Sequence, residues 1–111
     1  MTERKKCFYC RQPLKQHPHK DGAPQRWDQQ TRDHVIPRSL LRKLKISGKV
    51  KGNHVDCCAR CNGFKGDRNP LEMFVYLSDE TAKKLRDKLV AIGVPEAIVH
   101  DAYTASRDTT P

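Results

Sequence analysis

The chain has 111 residues and carries 22 Lys and Arg against 13 Asp and Glu, a formal charge of +9. A chain of this size is expected to form one domain, and its charge favours a polyanionic partner, nucleic acid first of all. No run of 18 apolar residues occurs and residues 1–6 are followed by no apolar stretch, which excludes a membrane span or signal peptide and predicts a cytoplasmic location.

Hydrophobic residues make up 36% and aromatics 6%, and the first half is rich in Pro and Lys, so its apolar core is thin. A small domain of this kind is expected to need a staple, with a structural metal the obvious candidate. Four of the five cysteines stand in two pairs, Cys7-Phe8-Tyr9-Cys10 and Cys58-Ala59-Arg60-Cys61, the spacing of zinc ligands in a reducing compartment. Cys57 is left over. A thioredoxin-like redox pair is the competing reading of Cys7 and Cys10, but no hydrophobic strand precedes them and no long helix follows.

In chain order, residues 11–25 read as an irregular connection with Pro13, Pro18, Gly22 and Pro24. His17 and His19 lie in it, as auxiliary metal ligands or, on the plainer reading, as loop residues. Residues 26–36 read as a short strand ending at Asp33-His34, before Pro37 stops pairing. Residues 39–46 read as a helical turn or a basic loop anchored by Leu40, Leu41, Leu44 and Ile46, with Arg42, Lys43 and Lys45 facing a polyanion. Gly48 and Gly52 bracket a reversal, after which Asn53 to Cys57 run as the second strand of a hairpin. A helix is expected from Cys58 or Ala59, placing Cys58 and Cys61 on one face and turning Asn62 toward the hairpin.

Pro70 opens a helical segment over 71–77 with Leu71, Phe74, Val75 and Leu77 as its apolar face. Ser78 caps a helix over 79–91 with Leu85, Leu89 and Ile92 buried. Gly93-Val94-Pro95 stops it and starts another, with Ile98, Val99 and Tyr103 apolar, before a polar tail from Ser106 that is expected to fray. The two helices either extend the core or form a dimerisation element.

Taken together, Cys7-x-x-Cys10, Asp33-His34-Val35-Ile36-Pro37, Asn53, and Cys58-x-x-Cys61-Asn62 with Lys65-Gly66 follow one another in an order that resembles the zinc-containing HNH endonucleases. The resemblance covers residues 7–77. It implies a ββα-metal core with a four-cysteine zinc site, and with the helical extension read from the residues over 78–106 and a flexible tail over 107–111 the expected fold is α+β. Asn62 stands where the family has either Asn or His. His54 stands where the family more often has an apolar residue, and is read as a partly exposed strand residue or a phosphate contact.

The chemistry of these side chains assigns roles beside the analogy. Asp33 and Asn62 offer oxygen ligands to a catalytic Mg2+ or Mn2+. His34 is the candidate general base, and Asn53 the residue that holds its ring or the neighbouring loop. Arg38, Arg60 and Lys65 are candidate nucleic-acid contacts, against the alternative that they are interchangeable surface charge. The expected function is metal-dependent hydrolysis of DNA phosphodiester bonds in a bacterial cell or phage-infected host. A non-cleaving zinc-stabilised nucleic-acid-binding module, and a nuclease subunit of a homodimer or larger assembly, are the alternatives.

Overall fold

The computed structural model describes residues 5–15 and 27–108, so His17, His19 and residues 109–111 lie outside the described residues. The fold is α+β, a two-stranded antiparallel sheet with one short helix between its strands and the other helices after it. The chain divides into two compact units, residues 1–33 with 54–66, and residues 34–53 with 67–111.

In the first unit, β1 (Gln30–His34, whose last residue falls in the other unit) pairs with β2 (His54–Cys58). Ahead of them the Cys7 to Cys10 segment turns back on itself. The Arg11 N–H donates to the Cys7 carbonyl at 3.0 Å and Arg11 takes a positive φ of 65°, a left-handed conformation that a non-glycine residue adopts only when its surroundings require it. The turn is tied to β2 by the Phe8 N–H, which donates to the Asp56 carbonyl at 3.0 Å. β2 runs directly into α2 (Ala59–Lys65), with Cys58 as its N-cap. The first free N–H groups of α2 are met by backbone: Ala59 donates to Gln29 and Arg60 to Trp27, each at 3.0 Å. Gly66, at φ 50°, stops the helix.

In the second unit, the segment read as a helical turn or basic loop over 39–46 forms a short helix at its start: α1 (Arg38–Lys43) follows Pro37 and buries Leu41. After the Gly52 turn, at φ 85°, a 3-10 segment spans Pro70–Tyr76, its N-cap Asn69 accepting from the Leu71 N–H at 2.9 Å. α3 (Asp79–Ile92) begins at Ser78, whose Oγ accepts from the Thr81 N–H, and ends at Gly93, φ 122°. The sequence placed this cap and this stop because Ser and Gly relieve the unpaired groups at helix ends. α4 (Glu96–Arg107) follows Pro95. The core of the unit is apolar, with Phe74, Leu85, Leu89 and Val99 fully buried, and Phe74 meets Tyr103 edge-on at 5.8 Å.

Three expectations are corrected here. Val75 is exposed (62%) and Met73 is buried in its place, because a 3-10 turn repeats every three residues and puts Pro70 with Met73, and Phe74 with Leu77, on the inner side. Ile98 is exposed while Val99 is buried, so the inner stripe of α4 is narrower than its composition suggests. The chain stays helical past Ser106 to Arg107, which is anchored rather than frayed. Its guanidinium donates to the Leu77 carbonyl at 3.1 Å, to Asp79 Oδ1 at 2.7 Å and to the Phe74 carbonyl. Among the described residues no helix is long and apolar enough to cross a membrane.

Candidate metal centre

Cys7 and Cys10 come from the N-terminal turn, Cys58 from the end of β2 and Cys61 from the first turn of α2. One ligand atom from each lies within 4.8 Å of the others, and the Cys10 and Cys58 Sγ atoms are 3.8 Å apart. Four thiolates at about 2.3 Å from a tetrahedral ion stand about 3.8 Å from one another, so the cluster has the size of a four-cysteine site and can hold a metal ion such as zinc. Cys7 and Cys58 are fully buried. The Cys61 N–H donates to Cys58 Sγ at 3.4 Å, a helix-start hydrogen bond that favours negative charge on sulfur.

The thiols are electrostatically unequal. A hydrogen bond from the Cys61 thiol pulls Cys7 down, with backbone N–H groups helping against burial. Cys61, the donor, is pushed up for the same reason and by burial, and burial raises Cys58. Cys57 points away: it is buried, pushed up to about 12 chiefly by desolvation, and touches Thr31 Oγ1 at 3.4 Å. Successive strand residues face opposite sides, which is why Cys57 is not among the four.

Beside this cluster lies a buried ionic network that periodicity does not announce. Asp33, 5% exposed, accepts from the Tyr9 hydroxyl at 2.5 Å, and the Lys65 ammonium is 3.4 Å from its Oδ1 and 3.3 Å from its Oδ2. Lys65 is only 1% exposed. That corrects its expected place among the surface cations: an ammonium with no access to water meets the internal carboxylate, not an external phosphate. Burial, then the Asp33 charge, pushes the Tyr9 phenol up, so it stays protonated and remains a donor. The signal for Lys65 was available. Cys58, Cys61 and Lys65 stand at i, i+3 and i+7 on one helix face, and a face that turns two cysteines inward turns the lysine inward too.

Asn62 donates through Nδ2 to Thr31 Oγ1 at 3.1 Å, and that hydroxyl donates to the Cys57 carbonyl at 2.9 Å. A chain of donors therefore fixes the Asn62 amide to β1. The donor chemistry of Asp33 and Asn62, a carboxylate and a carboxamide oxygen, suits a hard divalent cation. Such an ion would compete with the Lys65 ammonium for the Asp33 carboxylate.

In the second unit, His34 is exposed at the last position of β1. Asn53 is buried and its side chain reads the backbone of Ile36 like a paired strand: Oδ1 accepts from the Ile36 N–H at 2.8 Å and Nδ2 donates to the Ile36 carbonyl at 2.9 Å. With the Val35 N–H donating to the Asn53 carbonyl at 3.0 Å, this clamps the chain immediately after His34. Arg38 is exposed at the start of α1, and Arg60 is exposed on α2, its guanidinium 5.1 Å from the Trp27 ring centroid. His54 opens β2, half-buried. No protein-family model, curated protein or solved structure matches the chain.

Proposed function

We propose that the protein is a metal-dependent endonuclease of the HNH kind that hydrolyses DNA phosphodiester bonds. A Zn2+ on Cys7, Cys10, Cys58 and Cys61 holds the fold, and Asp33 and Asn62 hold a catalytic Mg2+ or Mn2+. The observation that carries this reading is the end of β1: a buried carboxylate, then an exposed imidazole, then a backbone clamped by the Asn53 amide. That arrangement keeps His34 at the surface on a fixed stretch of chain, where an imidazole can take a proton from water at neutral pH. Water attacks phosphorus, its proton passes to His34, and the bond from phosphorus to the leaving sugar oxygen breaks. The divalent ion would supply charge for the phosphate and leaving oxygens.

The test is plasmid cleavage by zinc-loaded protein with and without Mg2+ or Mn2+. His34→Ala removes the base without touching Asp33, Asn62 or the cysteines, so it is expected to keep its zinc and bind DNA while cutting about 100- to 10,000-fold more slowly. Cleavage by His34→Ala at the parent rate would remove His34 from this role. A second reading, a zinc-stabilised nucleic-acid-binding module that does not cut, is favoured by one observation, the neutralisation of Asp33 by Lys65. It predicts DNA binding with no divalent-dependent cleavage at all.

A further inference from the structure

We propose that Trp27, Arg60 and Phe64 form a stacking surface for the unpaired bases of a DNA strand, so that the chain engages single-stranded or locally opened DNA through its first unit. This deepens the nucleic-acid reading above and rests on it.

Trp27 is the chain's one tryptophan, and both it and Phe64 are large aromatic residues about half open to solvent, 50% and 47% exposed. Neither position is loose. The Trp27 carbonyl accepts the Arg60 N–H at 3.0 Å, and the Arg60 guanidinium lies 5.1 Å from the Trp27 ring centroid. Arg60 and Phe64 stand at i and i+4 on α2, neighbours on one helix face. Two aromatic rings and one planar cation are thus carried by one short helix and the segment hydrogen-bonded to its first turn. A platform pinned in this way loses little freedom when a ligand settles on it.

The charge around the platform suits a polyanion. The described carboxylates of this unit are Asp28, Asp33 and Asp56, and each is in an ion pair, with Lys15, Lys65 and Lys5 respectively. Arg60 is in none of these pairs, nor are Lys6, Arg11 and Arg32. Each described acid of the unit is paired, and the described cations of the same unit outnumber the acids. A strand with free bases offers both partners that this surface asks for, phosphates for the cations and flat π faces for the rings and guanidinium. An intact duplex hides its base faces in the stack, and an acidic peptide has charge without regular planar faces.

Trp27 is its own reporter. Zinc-loaded full-length protein, without added Mg2+ or Mn2+ so that nothing is cut, is titrated with oligo-dT and with a blunt duplex of matched length. Oligo-dT is expected to quench Trp27 fluorescence on binding, and the duplex to bind by charge with little quenching. By fluorescence anisotropy of labelled DNA, Trp27→Ala is expected to weaken oligo-dT binding about 5- to 100-fold while leaving duplex affinity close to that of the parent. Trp27→Phe should retain most of the affinity. Arg60→Lys keeps the charge and removes the plane, so it should weaken oligo-dT binding and leave its salt dependence unchanged. Phe64→Ala, on the exposed side of α2, decides the matter if Trp27→Ala loses its zinc: a selective loss for oligo-dT supports the surface, and unchanged binding overturns it. Equal quenching by duplex and oligo-dT, or Trp27→Ala binding both as the parent does, would also overturn it. The outcome is separable from hydrolysis. Quenching by oligo-dT in a protein that never cuts keeps the stack and rejects the nuclease, while cleavage without oligo-dT quenching does the reverse.

Discussion

The two units are stabilised by opposite means. Among the described buried residues of the first, Leu14 is the only aliphatic side chain; the rest include Cys7, Tyr9, Asp33, Cys58 and Lys65. The second buries Val35, Ile36, Leu41, Phe74, Leu85, Leu89 and Val99 among others. Burying apolar surface stabilises by area, at about 25 cal/mol per Å2, and tolerates small shifts. Ligand sulfurs and a buried ion pair stabilise only while every partner is present, since a polar group left alone in the interior is costly. The first unit is therefore a set of obligatory pairings, and the second an ordinary core.

The sharpest way to break that contrast is to remove the zinc proposed for the four-cysteine cluster. Apparent binding energies of structural zinc in small sites are about 10–16 kcal/mol, so a strong chelator is expected to unfold the first unit and change Trp27 fluorescence. The far-UV circular dichroism of α3 and α4 should largely persist. Simultaneous loss of both signals at one chelator concentration would show that the second unit has no stability of its own. Cys58→Ser should reproduce the chelated state.

The next effect is ionic. Lys65→Met leaves the Asp33 carboxylate buried without its cation and is expected to cost about 3–5 kcal/mol, read from denaturant unfolding followed by Trp27. Pairing it with Asp33→Asn removes both charges and should recover most of the loss. Additive losses in the double variant would mean that the pair is not coupled. Asp33→Ala is correspondingly not a clean probe of a catalytic cation, because it strands a buried ammonium.

The smallest of the three tests the ordinary core. Leu89→Ala opens a cavity in the second unit and is expected to cost about 2–5 kcal/mol, lowering the thermal transition seen by circular dichroism. Zinc content and the Trp27 signal at ambient temperature should not change. Zinc loss from Leu89→Ala would overturn the separation of the two stabilising devices.

Much of this architecture was legible in the chain. The two Cys-x-x-Cys pairs foretold a four-sulfur cluster because ligand spacing is local. Ser78, Gly93 and Pro95 marked helix ends because capping is also local, settled within a turn of the residue that does it. Even the strand end at Asp33-His34 followed from Pro37.

What only the tertiary structure decided is where the polar side chains turn for partners far along the sequence. Tyr9 reaches Asp33 across 24 positions and Lys65 reaches it across 32. Arg107 returns to Phe74, Leu77 and Asp79, and Asn53 spends both ends of its amide on Ile36. A lysine reads as solvated until a carboxylate is shown to be waiting inside, because its burial depends on the pair and not on the residue. Local spacing therefore determined the elements and the cluster of four sulfurs, and long-range ion pairs and hydrogen bonds determined which of the remaining polar groups are buried and which stay in water.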